Sequence, residues 1–282
     1  MSATAPSEPP PWRRALVTGA SSGIGEAVVR RLAADGVGRL VVVARRADRL
    51  AALGSELADR HGTEIEVLVA DLASSDPTGG LPAVEARLAD ADRPLDLVVS
   101  NAGVGAGGRF VDVPADVLAH QLEVNVVAAM RVARAALGPM VARGRGTLVN
   151  VASLAAWQPT PGSAAYAAGK AFVLSLSEAV HEELRGTGVT VTAVCPGFTR
   201  TEFLDAAAGA SELGDAPGFV WMTAEAVAAE GLAAAAAGRA VCVPGLGYKV
   251  AASVSDVVPR GAKRRLMGWA QGKATAVARR SG

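Results

Sequence analysis

The chain has 282 residues, half of them hydrophobic and a fifth charged, and 28 basic against 27 acidic side chains give a net charge of +1. This much apolar side chain excludes intrinsic disorder, because its burial can offset the entropy of the chain. The balanced charge and the 4% aromatic content argue against a nucleic-acid-binding surface, so no nucleic-acid partner is expected.

Residues 1–13 lack the apolar core of a secretory signal and are rich in Pro, Ser and Ala, which predicts a flexible leader. No stretch of about 18 uncharged apolar residues follows, so no membrane span is expected. The two cysteines, Cys195 and Cys242, form no CxxC motif or Cys/His cluster. They indicate free thiols in a reducing, cytoplasmic setting, and no metal site is predicted.

From residue 14 onward, short runs rich in Val, Leu and Ile alternate with segments of helical length. The runs alternate little between apolar and polar residues, which is typical of strands covered on both faces. The β-α order therefore predicts one α/β domain over residues 14–247, a parallel sheet with helices on both faces. The predicted strands are 15–18, 39–44, 64–70, 96–100, 146–151, 189–195 and 240–243. The predicted helices are 25–35, 48–61, 114–143, 163–185 and 223–237.

A glycine-rich loop, TGASSGIG at 18–25, follows the first predicted strand and opens the first predicted helix. Glycines permit a tight turn and let the backbone approach a pyrophosphate, while the helix N-terminus offers free N–H groups. This arrangement predicts a dinucleotide site, and a flexible turn without a ligand is the alternative. The predicted contacts are Gly19, Ser21, Ser22, Gly23, Ile24 and Gly25.

The second predicted strand ends at Ala44 and is followed by Arg45 and Arg46. A site that prefers NAD usually has an acid at this position, hydrogen-bonded to the adenosine ribose. Two guanidinium groups instead suit a 2′-phosphate, which predicts NADP(H) rather than NAD(H). Alternatively, both are solvated charges at the start of the next helix.

Two further strand ends carry candidate cofactor contacts. Asp71 and Leu72 follow the third strand, where a carboxylate can accept the exocyclic amine of adenine; a turn or helix-cap Asp is the alternative. The fourth strand ends in Ser-Asn-Ala-Gly, and the small residues Asn101, Ala102 and Gly103 would let the cofactor lie close to the carboxyl edge of the sheet.

Ser153 follows the fifth strand, and Tyr166 and Lys170 are spaced i and i+4 in a predicted helix, so both point from one face. A free tyrosine has a pKa near 10 and is only roughly 0.1% phenolate at pH 7. A nearby ammonium is expected to lower the pKa of Tyr166 and make it a better general acid or base towards a carbonyl or alcohol oxygen. Ser153 is placed to hydrogen-bond that same oxygen.

Together these motifs resemble the short form of the short-chain dehydrogenase/reductase family over about residues 14–245. The resemblance rests on TGASSGIG at 18–25, NAG at 101–103, Asn125, Ser153, YAAGK at 166–170 and PGFTRT at 196–201. It implies a Rossmann-type doubly wound parallel sheet of about seven strands. It also implies an oxidoreductase that transfers hydride between NADP(H) and a carbonyl or alcohol substrate.

The resemblance further implies a role for each matching residue. Tyr166 would be the acid/base, Ser153 would stabilise the substrate oxygen, and Lys170 would lower the tyrosine pKa and bind the nicotinamide ribose. Asn125 would hold a water that relays protons from Lys170; an Asn that bonds backbone within a helix is the alternative.

Family members commonly pair through two long helices, here 114–143 and 163–185, so a homodimer or homotetramer is expected. Residues bordering the nicotinamide would be Pro196, Gly197, Thr199 and Thr201. Ser100 replaces an Asn that the family often has, which leaves the catalytic positions intact.

Residues 202–222, EFLDAAAGASELGDAPGFVWM, correspond to the segment that covers the substrate in this family. Their apolar side chains, with Trp157 as a further wall, predict a hydrophobic ketone, aldehyde or alcohol as substrate. Packing of these aromatics in the core or at a subunit contact is the alternative. The predicted substrate contacts are Ser153, Trp157, Tyr166 and Phe203.

Residues 248–282 form a basic C-terminal extension, with eight Lys or Arg against one acid, Asp256. This pattern fits a surface helix with a solvated basic face, or a peripheral contact with an anionic membrane or an acidic partner. For the whole chain, the alternative to an enzyme is a non-catalytic NADP(H)-binding regulatory or scaffold protein. The intact Ser, Tyr and Lys set argues against that alternative.

Overall fold

The structure is a computed structural model that describes residues 11–203, 220–259 and 261–265. Within these residues, seven strands form one parallel sheet in the order β3-β2-β1-β4-β5-β6-β7. The prediction of a doubly wound parallel sheet is confirmed. The strands are β1 Arg14–Thr18, β2 Arg39–Ala44, β3 Glu64–Val69, β4 Leu97–Ser100, β5 Gly146–Val151, β6 Val189–Val194 and β7 Val241–Cys242.

The helices cover both faces of the sheet. They are α1 Gly23–Ala34, α2 Ala47–His61, α3 Leu81–Ala89, α4 Ala115–Leu122, α5 Ala129–Arg143, α6 Ala164–Glu183, α7 Ala224–Ala236 and α8 Leu246–Val257. A π-helical turn, Glu123–Ala128, joins α4 to α5, and a 3-10 turn, Leu154–Trp157, follows β5. The sequence patterns missed α3, which has nine residues and a proline in its first turn, too short for a clear helical period.

The core lies in two layers because alternate residues of each strand point to opposite faces. On β1, Val17 packs with Val29 of α1 and Val227 of α7, whereas Leu16 packs on the other face with Val132 and Met140 of α5. Burying such a side chain contributes about 1.5–3 kcal/mol. A charge at Leu16 or Val17 would therefore disrupt the layer that this residue faces, next to the loop that follows the strand.

The strand order reverses at β1, whose neighbours are β2 on one side and β4 on the other. The helices that follow β1 and β4 pack on opposite faces, and this leaves a crevice at the carboxyl ends of the central strands. The glycine loop, the Asn101 segment and Ser153 all leave the sheet at this edge, so the fold brings together motifs that are far apart in sequence.

The predicted flexible leader is wrong for its last two residues. Trp12 is only 6% exposed, and its indole N–H donates to Thr147 Oγ1 at 3.1 Å. The backbone N–H of Arg13 donates to the Asp96 carboxylate at 3.0 Å. The folded unit therefore begins before residue 14, because the indole fills space at the amino end of β5. Residues 1–10 lie outside the described residues.

One described helix, Ala115–Arg143, is long and apolar enough by length and composition to cross a membrane. This is weak evidence, because core helices meet the same criterion. Val132, Ala136 and Met140 on this helix are buried against the sheet. Its outer face exposes other apolar residues, and pairing with a second chain through it stays a prediction.

Candidate active site

The glycine loop is shaped by two left-handed residues and one close approach. Gly19 and Gly23 have φ values of +67° and +57°, a region that glycine adopts readily. A Cβ on Gly25 would collide with the Gly19 carbonyl oxygen and lie 2.5 Å from Asn101 Nδ2. Ser22 precedes α1 without capping it through its side chain, so N–H groups of the first turn stay available to an anion.

Replacing Gly25 with Ala is expected to destabilise the fold by ~1–3 kcal/mol, because the methyl group must displace backbone. The same shift should weaken cofactor binding by roughly tenfold or more, since the loop closes on the ligand. Thermal denaturation and cofactor titration measure the two effects. Gly38→Ala is the control, because its Cβ would meet only the Arg13 carbonyl oxygen at 3.9 Å. Normal cofactor affinity in Gly25→Ala would contradict the role given to this glycine.

Asn101 ties the end of β4 to the glycine loop. Its amide Nδ2 donates to the Thr18 carbonyl at 2.9 Å, and Thr18 Oγ1 accepts from the backbone N–H groups of Asn101 and Ala102. The next residue, Gly103, borders Lys170, whose Nζ would lie 3.6 Å from a Cβ there. The small residues predicted at this edge therefore lie between the glycine loop and Lys170.

Of the two arginines predicted to bind a 2′-phosphate, only Arg46 reaches the glycine loop. Its guanidinium donates to Ser21 Oγ at 3.0 Å, to Ser22 Oγ at 2.7 Å and to Glu202 Oε2 at 2.8 Å. Arg45 is exposed and, within the described part of the chain, makes no hydrogen bond or ion pair. The fixed position of Arg46 makes it the stronger candidate phosphate ligand.

Arg49 was missed by the sequence analysis. It lies one turn after Arg46 on α2, and its Nη1 is 2.6 Å from Glu202 Oε1. The i, i+3 spacing of two arginines at the start of a helix was the available signal. Glu202 itself comes from a distant segment, 156 residues from Arg46, and no local pattern pointed to this contact.

Asp71 takes part in a turn. Its Oδ1 accepts from the backbone N–H of Ala73 at 3.0 Å, as the alternative interpretation of this residue expected. The neighbouring Leu72 is buried in the core beneath. Contact of either residue with an adenine ring stays a prediction.

The fold brings Ser153, Tyr166 and Lys170 together at the carboxyl end of β5. Ser153 Oγ caps the 3-10 turn by accepting from Ala155 N–H at 3.2 Å, and its side chain also hydrogen-bonds to Tyr166. Lys170 is buried, donates from Nζ to the Val151 carbonyl at 2.7 Å, and lies 5.8 Å from the centre of the Tyr166 ring. Two helical positions and one strand end thus meet at one point.

The direction of the Tyr166 pKa differs from the prediction. Burial raises the pKa of the phenol above its ordinary value, and the hydrogen bond with Ser153 opposes that rise. Burial also lowers the pKa of Lys170 to about 8, so the side chain is an ammonium at pH 7 but loses its proton slightly above neutral pH. Removal from water is the largest cause of both pKa shifts, and in each case it favours the neutral form. A protonated phenol is the form that can donate to a substrate oxygen.

Asn125 lies in the π-helical turn and is 1% exposed. Its Oδ1 accepts from Val104 N–H at 2.9 Å and its Nδ2 donates to the Val104 carbonyl at 2.8 Å. The side chain bonds backbone, as the alternative to a water-holding Asn expected, but the backbone belongs to the loop after β4. Asn125 thereby positions that loop beside Gly103, and a role in a proton relay stays a prediction.

The PGFTRT segment runs from the serine turn to the glycine loop. The Pro196 carbonyl accepts from Leu154 N–H at 2.9 Å, next to Ser153. At the other end, the methyl group of Thr201 would lie 3.0 Å from a Cβ on Gly23. Thr199 between them is buried and pairs with Met222. The segment therefore closes the side of the crevice where a nicotinamide was predicted to lie.

Tyr248 is a second residue that the sequence analysis missed. Its ring lies against Gly197, where a Cβ would collide with it. Its hydroxyl donates to the Val220 carbonyl at 2.6 Å and accepts from Phe198 N–H at 3.1 Å. The first residue of the predicted extension is therefore part of the outer wall of the site, and α8 begins two residues before it.

One of the predicted substrate residues, Phe203, lies next to Tyr166. The Phe203 ring is 5.5 Å from the Tyr166 ring, and Phe198 and Trp221 pack at 5.9 Å. Trp157 is half-buried in the 3-10 turn, and its carbonyl accepts from Lys263 Nζ at 3.4 Å. Of the predicted substrate cover, residues 202–222, the stretch 204–219 lies outside the described residues. The part of the C-terminal extension after residue 265 also lies outside them.

Cys195 and Cys242 are buried free thiols, as predicted. Burial raises the pKa of both thiols. Neither is therefore a thiolate near neutral pH, and both act as small core side chains.

Residues 13–211 match the family described as short chain dehydrogenase. An uncharacterized oxidoreductase of Myxococcus xanthus (strain DK1622) is 42% identical over 191 residues, covering 68% of this chain and 74% of that protein. The chain therefore belongs to the short-chain dehydrogenase/reductase family, and the resemblance noted in the sequence is confirmed.

Solved structures agree. A short-chain dehydrogenase from Sphingobium yanoikuyae in complex with NADPH has a TM-score of 0.78 and 35% identity, covering 90% of this chain and 95% of that one. A bulky-bulky ketone specific alcohol dehydrogenase from Comamonas testosteroni has a TM-score of 0.73 and 30% identity, covering 88% and 95%. Other similar structures hold NADP or NAD, so a nicotinamide cofactor is supported for the chain.

Proposed function

We propose that the chain is an NADP(H)-dependent oxidoreductase that interconverts a carbonyl and an alcohol on an apolar substrate. The observation that carries the proposal is the meeting of Ser153, Tyr166 and Lys170 beside a glycine loop at one sheet edge. The site supports an enzyme over a binding protein, because a scaffold for the cofactor would need only the loop.

The crevice fits a dinucleotide phosphate. Gly19 and Gly25 let the loop pack tightly against Asn101, because a Cβ at either position would collide with it. The first turn of α1 supplies N–H groups for a pyrophosphate. Arg46 lies across Ser21 and Ser22, where a 2′-phosphate could replace its present partners. The bound nicotinamide would supply or accept the hydride.

The protein's part in carbonyl reduction is proton transfer and polarisation. Ser153 Oγ–H would donate a hydrogen bond to the substrate oxygen and hold it against the phenol. As negative charge develops on that oxygen, Tyr166 would release its proton to it and become a phenolate. The ammonium of Lys170 would stabilise the phenolate until a proton returns. In alcohol oxidation, the same groups would act in reverse.

An apolar substrate is supported by the aromatic side chains next to the phenol. Phe203 contacts Tyr166, and Phe198, five residues earlier in the chain, packs with Trp221. A similar protein acts on bulky ketones by its name. NADPH oxidation with a panel of aliphatic, aromatic, steroid and acyl-thioester carbonyls tests the proposal. Tight NADPH binding without turnover on any carbonyl would favour the non-catalytic alternative.

Cofactor preference gives a second test. NADPH is expected to bind at least tenfold more tightly than NADH, and Arg46→Ala should remove most of that difference. The lost charge-assisted hydrogen bonds correspond to roughly 10–100-fold in affinity. Fluorescence titration of both cofactors provides the dissociation constants. Arg45→Ala is the matched control, since this exposed guanidinium has no partner among the described residues. Equal affinity of the wild-type protein for NADPH and NADH would refute the preference.

A further inference from the structure

The Glu202 carboxylate binds both arginines at the edge of the glycine loop. Oε2 lies 2.8 Å from Arg46 Nη1 and Oε1 lies 2.6 Å from Arg49 Nη1, so each oxygen takes one guanidinium. Hydrogen bonds and charge from both arginines hold the pKa of Glu202 below its ordinary value. The carboxylate is therefore ionised throughout the neutral range and acts as a fixed anion there.

The two arginines that hold this carboxylate follow the end of β2. The group lies beyond the end of β2, where the acid of an NAD-preferring site binds the ribose hydroxyl groups. Arg46 contacts Ser21 and Ser22 of the glycine loop at the same time, so the anion lies beside the predicted phosphate site. Carboxylate and phosphate oxygens suit the same guanidinium fork. Two such anions cannot share one pair of arginines without repulsion.

We propose that Glu202 is a specificity-determining residue for the cofactor: it occupies Arg46 and Arg49 until the 2′-phosphate of NADP(H) displaces it. This inference rests on the proposed use of NADP(H). It makes Arg49 a second phosphate ligand, and it makes Glu202 an internal competitor supplied by the segment next to Phe203, which contacts the catalytic tyrosine.

Replacement of the Glu202 carboxylate by the 2′-phosphate on the two arginines is expected to be favourable. All three side chains are 40–50% exposed, and ion pairs at this exposure contribute little free energy. A phosphate monoester carries about −1.5 to −2 charges near pH 7, against −1 for the carboxylate, and offers more acceptor oxygens. The phosphate therefore prevails, at the expense of part of its affinity. NADH has no 2′-phosphate and leaves the three ion-paired side chains in place.

Glu202→Gln should tighten NADPH binding about three- to tenfold and change NADH binding less than twofold. The adenosine fragments 2′,5′-ADP and 5′-AMP should show the same contrast, because they differ only by the 2′-phosphate. Glu56→Gln is the matched control. Glu56 also joins two arginines, Arg30 at 2.8 Å and Arg60 at 3.1 Å, and the change removes the same charge elsewhere. It should alter neither dissociation constant.

Further variants separate competition from other effects. A glutamine at position 202 can still accept hydrogen bonds from the arginines, whereas an alanine cannot. Glu202→Ala is therefore a second test, and it should tighten NADPH binding as much as Glu202→Gln does. In Arg49→Gln, NADPH should bind more weakly, and adding Glu202→Gln should then yield a smaller gain than in the wild-type protein. Added salt should reduce the effect of Glu202 on NADPH binding.

The outcomes distinguish this inference from the proposed function. Unchanged or weaker NADPH binding in both Glu202 variants would overturn the competition, and so would equal tightening of NADPH and NADH. If the wild-type protein fails to prefer NADPH but Glu202→Gln creates that preference, the competition stands and the proposed NADP(H) dependence of the native chain fails. If the wild-type protein prefers NADPH and neither Glu202 variant changes this, only the competition fails.

Discussion

Tyr166→Phe is expected to lower kcat for carbonyl reduction by ~10²–10⁴-fold, the usual contribution of a positioned general acid. The change removes only the hydroxyl, so the ring can keep its contact with Phe203 at 5.5 Å. Cofactor affinity should stay within about twofold, because the glycine loop and Arg46 are untouched. NADPH oxidation with the best carbonyl of the panel measures the loss, and fluorescence titration measures the affinity.

The hydroxyl of Tyr166 has a defined environment that makes this variant informative. Burial raises the phenol pKa, so the group is protonated at neutral pH and ready to donate. Ser153→Ala should also reduce kcat, by less, because it removes a hydrogen bond rather than the proton donor. Normal turnover in Tyr166→Phe would assign proton donation to another group. Loss of NADPH binding with turnover would instead indicate a disturbed fold, which the melting temperature would show.

The sequence predicted those parts of the fold that depend on local pattern. Buried strands such as β2 and β5 appear in the sequence as nearly continuous apolar runs. The glycine loop is recognisable because its tight turn requires glycine at positions with positive φ. The i, i+4 spacing of Tyr166 and Lys170 was enough to place both on one face of α6. Ser153 could be added because the carboxyl ends of parallel strands share one edge.

Features that depend on distant partners were not predictable. Glu202 meets Arg46 across 156 residues, and Tyr248 packs on Gly197 from a helix whose docking site no local pattern indicates. Trp12 is buried in the core, and its N–H donates to Thr147 at the start of β5, 135 residues away. The direction of the Tyr166 pKa depended on how far the folded chain removes the phenol from water, which charge spacing alone cannot indicate.

Lys170→Met should lower kcat for carbonyl reduction by ~10²-fold or more, because the phenolate formed at Tyr166 loses its nearby positive charge. In the native chain the pKa of Lys170 is lowered to about 8, so the rate should decline as pH rises through that value and the ammonium is lost. The variant should lack this step in its pH profile. Rates from pH 6 to 9.5 at saturating NADPH provide the comparison, and an unchanged alkaline limb in the variant would contradict the assignment.

The same residue should change how stability depends on pH. Burial lowers the pKa of Lys170 from 10.5 to about 8, so between these values the unfolded chain binds a proton that the folded chain has released. Stability contributed by this group therefore rises with pH across that window, by about 3 kcal/mol in total at ~1.4 kcal/mol per pKa unit.

Below pH 8 the folded protein carries a buried ammonium whose desolvation penalty Lys170→Met removes. The variant also leaves the Val151 carbonyl without its 2.7 Å donor, which costs ~1–3 kcal/mol at every pH. Near pH 7 the two terms roughly cancel, and by pH 10 the native chain should exceed the variant by about 2–3 kcal/mol. Urea denaturation of both proteins from pH 7 to 10 measures the divergence. Lys249→Met, which removes an ammonium on the surface, controls for general charge. Parallel stability profiles for the native chain and Lys170→Met would show that Lys170 is not desolvated as the structure requires.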